Sequence, residues 1–411
     1  MKLKSLAEKK ICILGYGKEG KATRAFLQTM VPSAIVSISD QKNGPDYLTG
    51  LEAYDVVIKT PGIPKHLVPV PFTTATDIFF ANTRGYTIGV TGSKGKSTTA
   101  SLLYAILKKG GKNVHLVGNI GNPMLTALCE EKSSETVYVI ELSSYQLDTI
   151  AYSPRIALIT NLFPEHMDYH GDVQAYWRAK ERIVTRSTSD DYLVYNPDYP
   201  RLVRLAKITK AKSVPFVARL PFDYTQPHLL GRHNKDNVRA AVTAAGLLDV
   251  PPETMEKAVV GFGPLPHRLE YIGTFRNLSF YDDAISTTPE STICAIESFP
   301  SVGAILLGGQ DRGYDFSRLG TMIAARRIPT VVLFPDSGEA IYKAIIKASY
   351  TPLHVLRTKE MGMAVSFVFE HARAHSVCLL STASPSYSVW ENFEKKGELF
   401  AQFVRKYSSG L

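Results

Sequence analysis

The chain has 411 residues, of which 45% are hydrophobic and 21% are charged, and its formal net charge is +9. This is the composition of a globular protein of two or three domains, and no apolar run approaches the ~20 residues of a membrane span. The basic residues are spread along the chain, so we expect neither a nucleic-acid nor a membrane partner. Four single cysteines without metal-ligand spacing fit a reducing, cytoplasmic location.

The first predicted elements are a strand at 9–14, a helix that ends near Met30, and strands at 34–39 and 55–59. The first strand leads into Gly15-Tyr-Gly-Lys-Glu-Gly20, and Asp40 follows the second strand. This is the fingerprint of a Rossmann-type unit, whose glycines let the backbone approach a pyrophosphate. The motif alone does not choose between NAD, another nucleotide diphosphate and a turn without a ligand.

The most informative motif is a phosphate-binding loop, Gly89-Val-Thr-Gly-Ser-Lys-Gly-Lys-Ser-Thr98. A short apolar strand at 86–90 precedes it, and an amphipathic helix follows it as far as Gly110-Gly111, which is the context that the motif requires. Backbone N–H groups of such a loop bind phosphate oxygens. Lys96 would reach the outer phosphates, and the hydroxyl group of Ser97 would bind Mg²⁺.

Two later strands, predicted at 136–140 and 156–160, end in residues that can bind a metal. Glu141 follows the first strand, and His166 and Asp168 follow the second. Because the carboxyl ends of parallel strands meet at one edge of a sheet, Glu141 is placed to hold Mg²⁺ beside Ser97. His166 is a candidate ligand of a second metal ion.

Other polar residues are ambiguous in the sequence. Lys180 belongs to a charged helix predicted at 174–186, where a solvated surface lysine is the ordinary interpretation. The same holds for Arg232 and Lys235. Asn234 and Asn237 stand near a helix start, where amide side chains cap the helix or bind a purine or phosphate.

The alternation of strands and helices predicts an α/β protein with parallel sheets and three domains. We expect a Rossmann-like N-terminal domain at 1–82, a central phosphate-loop ATPase-like domain at 83–263 and a C-terminal Rossmann-like α/β domain at 264–411. A Gly/Pro linker at 261–266 precedes the last domain.

Six motifs follow one another along the chain: Gly118-Asn-Ile-Gly121, Glu141-Leu-Ser-Ser-Tyr-Gln-Leu147, Asn161-x-x-x-Glu-His-Met-Asp168, Tyr176-x-x-Ala-Lys-x-Arg182, Pro266-His-Arg-Leu-Glu270 and Asn392-Phe-Glu-x-x-Gly397. Taken together, these motifs resemble those of the Mur ligases, in particular the ones that add glutamate, over the whole chain and in the family's order. The resemblance implies ATP-dependent addition of glutamate to UDP-N-acetylmuramoyl-L-alanine in peptidoglycan precursor synthesis, through an acyl phosphate. It further implies a monomer whose partners are these small molecules and whose cofactors are ATP and two Mg²⁺ ions.

The resemblance also implies roles for individual residues. Catalysis and metal binding would involve Lys96, Ser97, Glu141, His166 and a carbamylated (N-carboxylated) Lys180. ATP would contact Gly92, Ser93, Lys94, Gly95, Lys96, Ser97, Thr98, Asn234, Asn237, Arg268 and Asp283. The UDP-muramoyl substrate would contact Gly17, Lys18, Asp40, Gln41, Lys42, Asn119 and Ser143. Glutamate would contact Thr287, Arg312, Ser386, Tyr387 and Phe393.

Three positions depart from the family's pattern. Ile285 and Arg312 stand where glutamate-adding Mur ligases have lysines near the glutamate, and Lys94 replaces an asparagine of the phosphate loop. Arginine can bind a carboxylate through two parallel hydrogen bonds, which lysine cannot do. The departures are similar to those of a subgroup proposed to add L-glutamate, so D-glutamate is the default and L-glutamate stays open.

The alternatives are a folylpolyglutamate-synthase-like ligase, an NAD-dependent dehydrogenase and a nucleic-acid-dependent ATPase. The first shares the phosphate loop, but that family begins directly at its ATPase domain. A dehydrogenase leaves the phosphate loop without a role, and the third predicts salt-sensitive DNA binding.

Overall fold

A computed structural model of the chain describes residues 1–163, 165, 167–223 and 229–408. Its strands form three separate sheets, two with six strands and one with three. Within the described residues, none of the helices combines the length and apolar character that a membrane span requires. The predicted α/β class with parallel sheets is confirmed.

The N-terminal sheet has three parallel strands in the order β2-β1-β3. Its elements are β1 (Lys10–Leu14), α1 (Lys18–Met30), β2 (Ile35–Ser39), β3 (Val56–Lys59) and α2 (Ala75–Asn82). The predicted strands agree with these bounds to within one residue. Gly15 has a φ of +94°, and a Cβ on Gly20 would collide with the carbonyl oxygen of Gly15, so the turn between β1 and α1 requires glycine at both positions.

The central sheet has six parallel strands in the order β5-β6-β4-β7-β8-β9. Its elements are β4 (Tyr86–Thr91), α3 (Lys96–Lys109), β5 (Val114–Gly118), α4 (Met124–Cys129), β6 (Val137–Glu141), α5 (Ser144–Leu147), β7 (Ile156–Ile159), α6 (Met167–His170), α7 (Val173–Glu181), β8 (Tyr192–Tyr195), α8 (Pro200–Ile208), β9 (Lys212–Pro215), α9 (Arg232–Gly246) and α10 (Pro252–Val260). Because β4 lies between β6 and β7, the loops that follow all three strands meet at one edge.

The prediction of a helix at 174–186 is wrong at its C-terminal end. Helix α7 stops at Glu181, and a tighter 3₁₀ turn follows at Arg182–Val184. This turn buries Ile183 and Val184 in the hydrophobic core. Packing of these two side chains therefore overrides the helical charge pattern of the segment.

The C-terminal sheet has six strands in the order β10-β11-β15-β12-β13-β14, and only the β10–β11 pair is antiparallel. Its elements are β10 (Glu270–Phe275), β11 (Leu278–Asp282), α11 (Pro289–Glu297), β12 (Val302–Gly308), α12 (Ser317–Ala325), β13 (Thr330–Phe334), α13 (Gly338–Lys347), β14 (His354–Arg357), α14 (Met361–His371), β15 (Ser376–Leu380) and α15 (Phe393–Ser408). Every residue of the central strand β12 is buried, as expected for a parallel strand covered on both faces.

The chain divides into two compact units, one of Met1–Gln226 with Asn234–Phe262 and one of Pro227–His233 with Gly263–Leu411. In the first unit, one hydrophobic core includes side chains from both the N-terminal and the central sheet, such as Ile13 and Ile140. The second unit has its own two apolar clusters. The division into domains at 1–82, 83–263 and 264–411, with one sheet in each, stays a prediction.

Candidate active site

The phosphate loop connects β4 to α3 and is held by the residues that follow β7. The hydroxyl group of Thr160 and the amide group of Asn161 both donate hydrogen bonds to the carbonyl oxygen of Lys94, at 2.7 and 2.9 Å. Asn161 Oδ1 accepts from the N–H group of Lys94 at 2.8 Å. Gly92 has a φ of +147°, and a Cβ there would collide with Thr160 Oγ1. The loop conformation therefore depends on β7 as well as on its own glycines.

Lysine side chains of the loop also have defined contacts. Lys96 Nζ donates to the carbonyl oxygens of Gly92 and Ser93 at 3.0 and 2.9 Å, which keeps the ammonium group over the loop. Lys94 Nζ forms an ion pair with Glu165 Oε1 at 2.5 Å. The hydroxyl group of Ser93 accepts a hydrogen bond from Tyr176 at 2.9 Å. The ammonium group of Lys96 is thus held at the loop where the phosphates would bind.

The two asparagines of α9 lie against the phosphate loop. Asn237 Nδ2 donates to Asn234 Oδ1 at 2.9 Å, and Asn237 Oδ1 accepts from Thr99 Oγ1 at 3.3 Å. Gly95 has a φ of +80°, and a Cβ there would collide with Asn237 Oδ1. The structure thus places the asparagines beside the loop. Their side chains contact each other, and that of Asn237 contacts Thr99 of α3.

Glu141 is the last residue of β6 and is 1% exposed. Its Oε1 accepts a hydrogen bond from Asn119 Nδ2 at 2.9 Å. Its Oε2 is buried and has no hydrogen-bond partner among the described residues. A buried carboxylate oxygen without a partner is costly, and a divalent cation would satisfy it. The donor set therefore fits the Mg²⁺ ion that the phosphate loop implies, while His166 lies outside the described residues.

Lys180 is 1% exposed, so the interpretation of this residue as a surface lysine is wrong. Its Nζ lies 4.8 Å from the centroid of the Tyr176 ring. Burial, reinforced by the charge of Lys96, holds the pKa of Lys180 well below its usual value, against the opposing carboxylates of Glu165 and Glu141. A depressed pKa favours the neutral amine, which is the form that reacts with CO₂.

The residues predicted to bind the UDP-muramoyl substrate come from both sheets of the first unit. Lys18 Nζ donates to the carbonyl oxygen of Gly121 at 3.2 Å, which places the glycine loop beside the segment that contains Asn119. Asp40 accepts from the N–H groups of Tyr16 and Lys42 at 2.5 and 2.9 Å, and these bonds lower its pKa. Ser143 caps α5. Gln41 and Lys42 form an exposed turn after β2.

The residues predicted to bind glutamate follow neighbouring strands of the C-terminal sheet. The loops after β11 and β15 meet where Ala383 N–H donates to the carbonyl oxygen of Ser286 at 3.1 Å. The loop after β12 joins them where Gln310 N–H donates to the carbonyl oxygen of Pro385 at 2.8 Å. These loops contain Thr287, Arg312, Ser386 and Tyr387, and Phe393 begins α15. Arg312 is exposed, and Ser386 Oγ is buried without a partner among the described residues.

Asp283 is a buried carboxylate that directly follows β11. It accepts hydrogen bonds from Ser381 Oγ at 2.8 Å and from Leu269 N–H at 3.3 Å. Burial raises its pKa to about 7, although these bonds and the charge of Arg268 oppose the shift. Asp283 and Arg268, both predicted to contact ATP, are thus electrostatically coupled within the second unit.

Lys396 is a functional candidate that sequence reasoning missed. It is fully buried in α15, and its Nζ donates to Thr382 Oγ1 at 2.6 Å. Burial lowers its pKa to about 7 against the opposing charges of Asp282 and Asp283. Its position in Asn392-Phe-Glu-Lys-Lys-Gly397 was the only available signal, and the adjacent exposed Lys395 looks the same in the sequence.

Comparison with known proteins identifies the family. Residues 90–227 match the Mur ligase middle domain. The chain is 31% identical to UDP-N-acetylmuramoylalanine–D-glutamate ligase of Ligilactobacillus salivarius (strain UCC118), over 98% of this chain and 97% of that protein. It is 33% identical to UDP-N-acetylmuramoyl-L-alanine–L-glutamate ligase of Salinispora tropica, over 98% of this chain and 99% of that protein. The chain belongs to the Mur ligase family.

Solved structures agree with the fold of this Mur ligase. MurF of Thermotoga maritima in complex with ADP has a TM-score of 0.64 at 17% identity and covers 98% of this chain and 97% of its own. MurC of the same organism has a TM-score of 0.64 at 17% identity and covers 98% of this chain and 100% of its own. At this identity the likeness concerns the fold alone.

Proposed function

We propose that this Mur ligase uses ATP to join glutamate to UDP-N-acetylmuramoyl-L-alanine. The observation that supports this most directly is the hydrogen bond between Asn119 and Glu141, at 2.9 Å. It links the residue that would hold the muramoyl substrate to the carboxylate that would hold Mg²⁺ at the phosphate loop. The substrate carboxylate and the γ-phosphate of ATP would therefore meet at one edge of the central sheet.

The proposed reaction has two steps because a carboxylate is a poor acyl donor. An oxygen of the alanine carboxylate attacks the γ-phosphorus of ATP, the bond to ADP breaks, and an acyl phosphate forms. The amine of glutamate then attacks the acyl carbon, loses a proton, and inorganic phosphate leaves. Lys96 and the N-terminus of α3 would stabilise the negative charge on the transferred phosphoryl group.

Ser97 and Glu141 would hold one Mg²⁺ ion, and His166 a second; bound there, these ions would stabilise charge on the phosphates. We propose that the amine of Lys180 is carbamylated. A carbamate is anionic, so it would remove a buried amine near the positive charge of Lys96 and supply oxygen atoms toward the metal site. Burial and the depressed pKa of Lys180 support this assignment.

The other substrate residues keep the roles that the resemblance implies. The glycine loop and the turn after β2 would bind the uridine diphosphate end. Asn234, Asn237, Arg268 and Asp283 would contact the nucleotide. The loops of the second unit that contain Thr287, Arg312, Ser386 and Tyr387, together with Phe393, would bind glutamate. We also propose that the protein acts in the cytoplasm as a monomer.

The handedness of the glutamate gives two candidates. D-glutamate is the default, because it is the isomer named for relatives such as the Ligilactobacillus salivarius ligase. L-glutamate is favoured by Ile285 and Arg312, which replace lysines near the amino acid, and it is the isomer named for the Salinispora tropica ligase. With L-glutamate, a separate epimerase would have to invert the product.

The test is phosphate release with ATP, Mg²⁺ and UDP-N-acetylmuramoyl-L-alanine, with D- or L-glutamate added separately and the product mass measured. Release with one isomer alone identifies the substrate. If phosphate is released with neither isomer, the assignment of UDP-N-acetylmuramoyl-L-alanine as the substrate that is joined to glutamate is wrong. Arg312→Lys should raise the KM for glutamate about tenfold or more without changing the KM for ATP, because one hydrogen bond to a carboxylate is lost.

A further inference from the structure

A buried carboxyl group, that of Glu19, links helix α1 to helix α5 within the first unit. Glu19 lies in the first turn of α1, directly after Lys18. Its Oε2 accepts a hydrogen bond from Gln146 Nε2 at 3.4 Å. Its Oε1 is buried and has no hydrogen-bond partner within the part of the chain that the structure describes. Among the described residues, the carboxyl group of Glu19 thus has one hydrogen bond, a long one to Gln146 of α5.

Gln146 connects Glu19 to Ser143. Gln146 Oε1 accepts hydrogen bonds from both the N–H group and the hydroxyl group of Ser143, each at 3.0 Å. Because the backbone N–H group can only donate, the amide orientation is fixed, and Nε2 has to face Glu19. Glu19, Gln146 and Ser143 therefore form a chain between the glycine loop and the cap of α5. Lys18 and Ser143, at its two ends, are both predicted to contact the UDP-muramoyl substrate.

In the part of the chain that the structure describes, Glu19 forms no ion pair with the charged groups around it. Lys59, from the end of β3, is 1% exposed, and its Nζ donates to the carbonyl oxygens of Thr60 and Ile63 at 3.0 and 2.8 Å. Beyond it, Lys65 pairs with Asp148 at 2.8 Å. Helix α4 also packs against α1, and its titratable group, Cys129, is exposed.

Burial decides the protonation of this cluster. It raises the pKa of Glu19 to about 7, although the hydrogen bond from Gln146 and the charge of Lys59 act in the opposite direction. Burial likewise lowers the pKa of Lys59 to about 8, against the charges of Asp148 and Glu19. At neutral pH Glu19 therefore exchanges between a neutral and an ionised form, and the neutral form is the one that burial favours.

We propose that Glu19 is a positioning residue for the UDP-muramoyl substrate, and that its protonated carboxyl group holds the glycine loop against Ser143. The inference rests on the proposed function. An ionised Glu19 would leave a buried, charged oxygen without a partner, which disfavours the contact between the glycine loop and α5. It would also add negative charge beside the loop that would bind a diphosphate. Substrate binding and protonation of Glu19 should therefore favour each other.

This coupling gives the affinity a definite pH dependence. If only the protonated form binds, the apparent Kd rises little below pH 7 and tenfold per pH unit well above it. With the pKa of Glu19 at about 7, the Kd should rise about tenfold between pH 6 and pH 8. The kcat at saturating UDP-muramoyl substrate should change less, because Glu19 acts through substrate binding.

The test is calorimetric titration with UDP-N-acetylmuramoyl-L-alanine, without ATP, from pH 6 to pH 8. Glu19→Gln retains an acceptor for Gln146 and cannot ionise, so its Kd at pH 8 should be about tenfold lower than that of the unmodified protein, with similar values at pH 6. Glu52→Gln removes an exposed carboxylate from the connection between β2 and β3 and should follow the unmodified protein. Lys59 titrates in all three proteins, so the readout is the ratio of each variant's Kd to the Kd of the unmodified protein at the same pH.

Parallel pH profiles for Glu19→Gln and the unmodified protein would overturn the role of Glu19. Loss of binding by Glu19→Gln at pH 6 would also overturn it, because a neutral isostere should suffice there. Both outcomes leave the proposed function standing. If the unmodified protein does not bind this substrate at pH 6, the proposed function and this inference fail together.

Discussion

Replacing Gly95 with alanine tests whether Asn237 and the phosphate loop fit each other as closely as the structure indicates. Gly95 has a φ of +80°, and the added methyl group would collide with Asn237 Oδ1. That oxygen accepts a hydrogen bond from Thr99, and the same amide group donates to Asn234. The substitution should therefore displace Asn237 and break both bonds.

The magnitude follows from two contributions. A left-handed backbone conformation costs an alanine ~1 kcal/mol, and each of the two lost hydrogen bonds is worth ~1 kcal/mol. We expect the free energy of unfolding of the first unit to fall by ~3 kcal/mol. The contribution of Asn237, ~2 kcal/mol, should also appear in nucleotide binding, where it corresponds to a roughly 30-fold higher Kd for ADP.

Gly111→Ala is the matched control, because Gly111 lies at the other end of α3 with a φ of +75° and no atom within 4 Å of the added Cβ. It should lose ~1 kcal/mol of stability and keep its affinity for ADP. Urea unfolding and calorimetric titration with Mg²⁺ and ADP measure the two quantities. If Gly95→Ala binds ADP as tightly as Gly111→Ala does, Asn237 does not position the loop.

Three further predictions concern buried charged groups. Lys180→Ala should abolish ligation, and short carboxylates should restore part of it by replacing the carbamate; full activity without them would refute the carbamate. The pKa of Lys396 is lowered from 10.5 to about 7, so the unfolded state binds more protons above pH 7, and the free energy of unfolding should rise by ~2 kcal/mol from pH 7 to pH 9. Lys396→Met should remove this rise in urea unfolding, and equal slopes for both proteins would contradict it. Glu141→Gln should raise the Mg²⁺ concentration needed for half-maximal activity about tenfold or more, while ADP binding in a chelator stays unchanged; an unaltered Mg²⁺ requirement would exclude Glu141 as a ligand.

Local sequence patterns predicted the parts of the site that depend on strand ends. Glu141 was expected at the end of a strand, and it is the last residue of β6. The bounds of the strands in the N-terminal sheet were predicted to within one residue, because short apolar runs between turn residues leave little choice of where a strand begins and ends.

Burial of charged residues could not be predicted in the same way. Lys395 and Lys396 are adjacent and chemically identical, yet the first is exposed and the second is fully buried. The difference arises from which face of α15 packs on the sheet. Two adjacent lysines give no indication in the sequence of which one lies on the buried face. Lys180 is a similar case, because the charged sequence of α7 suggests a solvated helix, whereas Lys180 is buried and Tyr176 of the same helix donates a hydrogen bond to Ser93 of the phosphate loop.

The dependence of the phosphate loop on Thr160 and Asn161 has a consequence for protein synthesis. These residues are made 66 and 67 positions after Lys94, whose backbone they hold. A nascent chain that ends before residue 160 contains the whole phosphate-binding motif, but it lacks both side chains that fix the backbone of Lys94. Nucleotide should therefore bind the growing polypeptide only after β7 has left the ribosome and joined β4, which makes nucleotide capture a reporter of how far the central sheet has assembled.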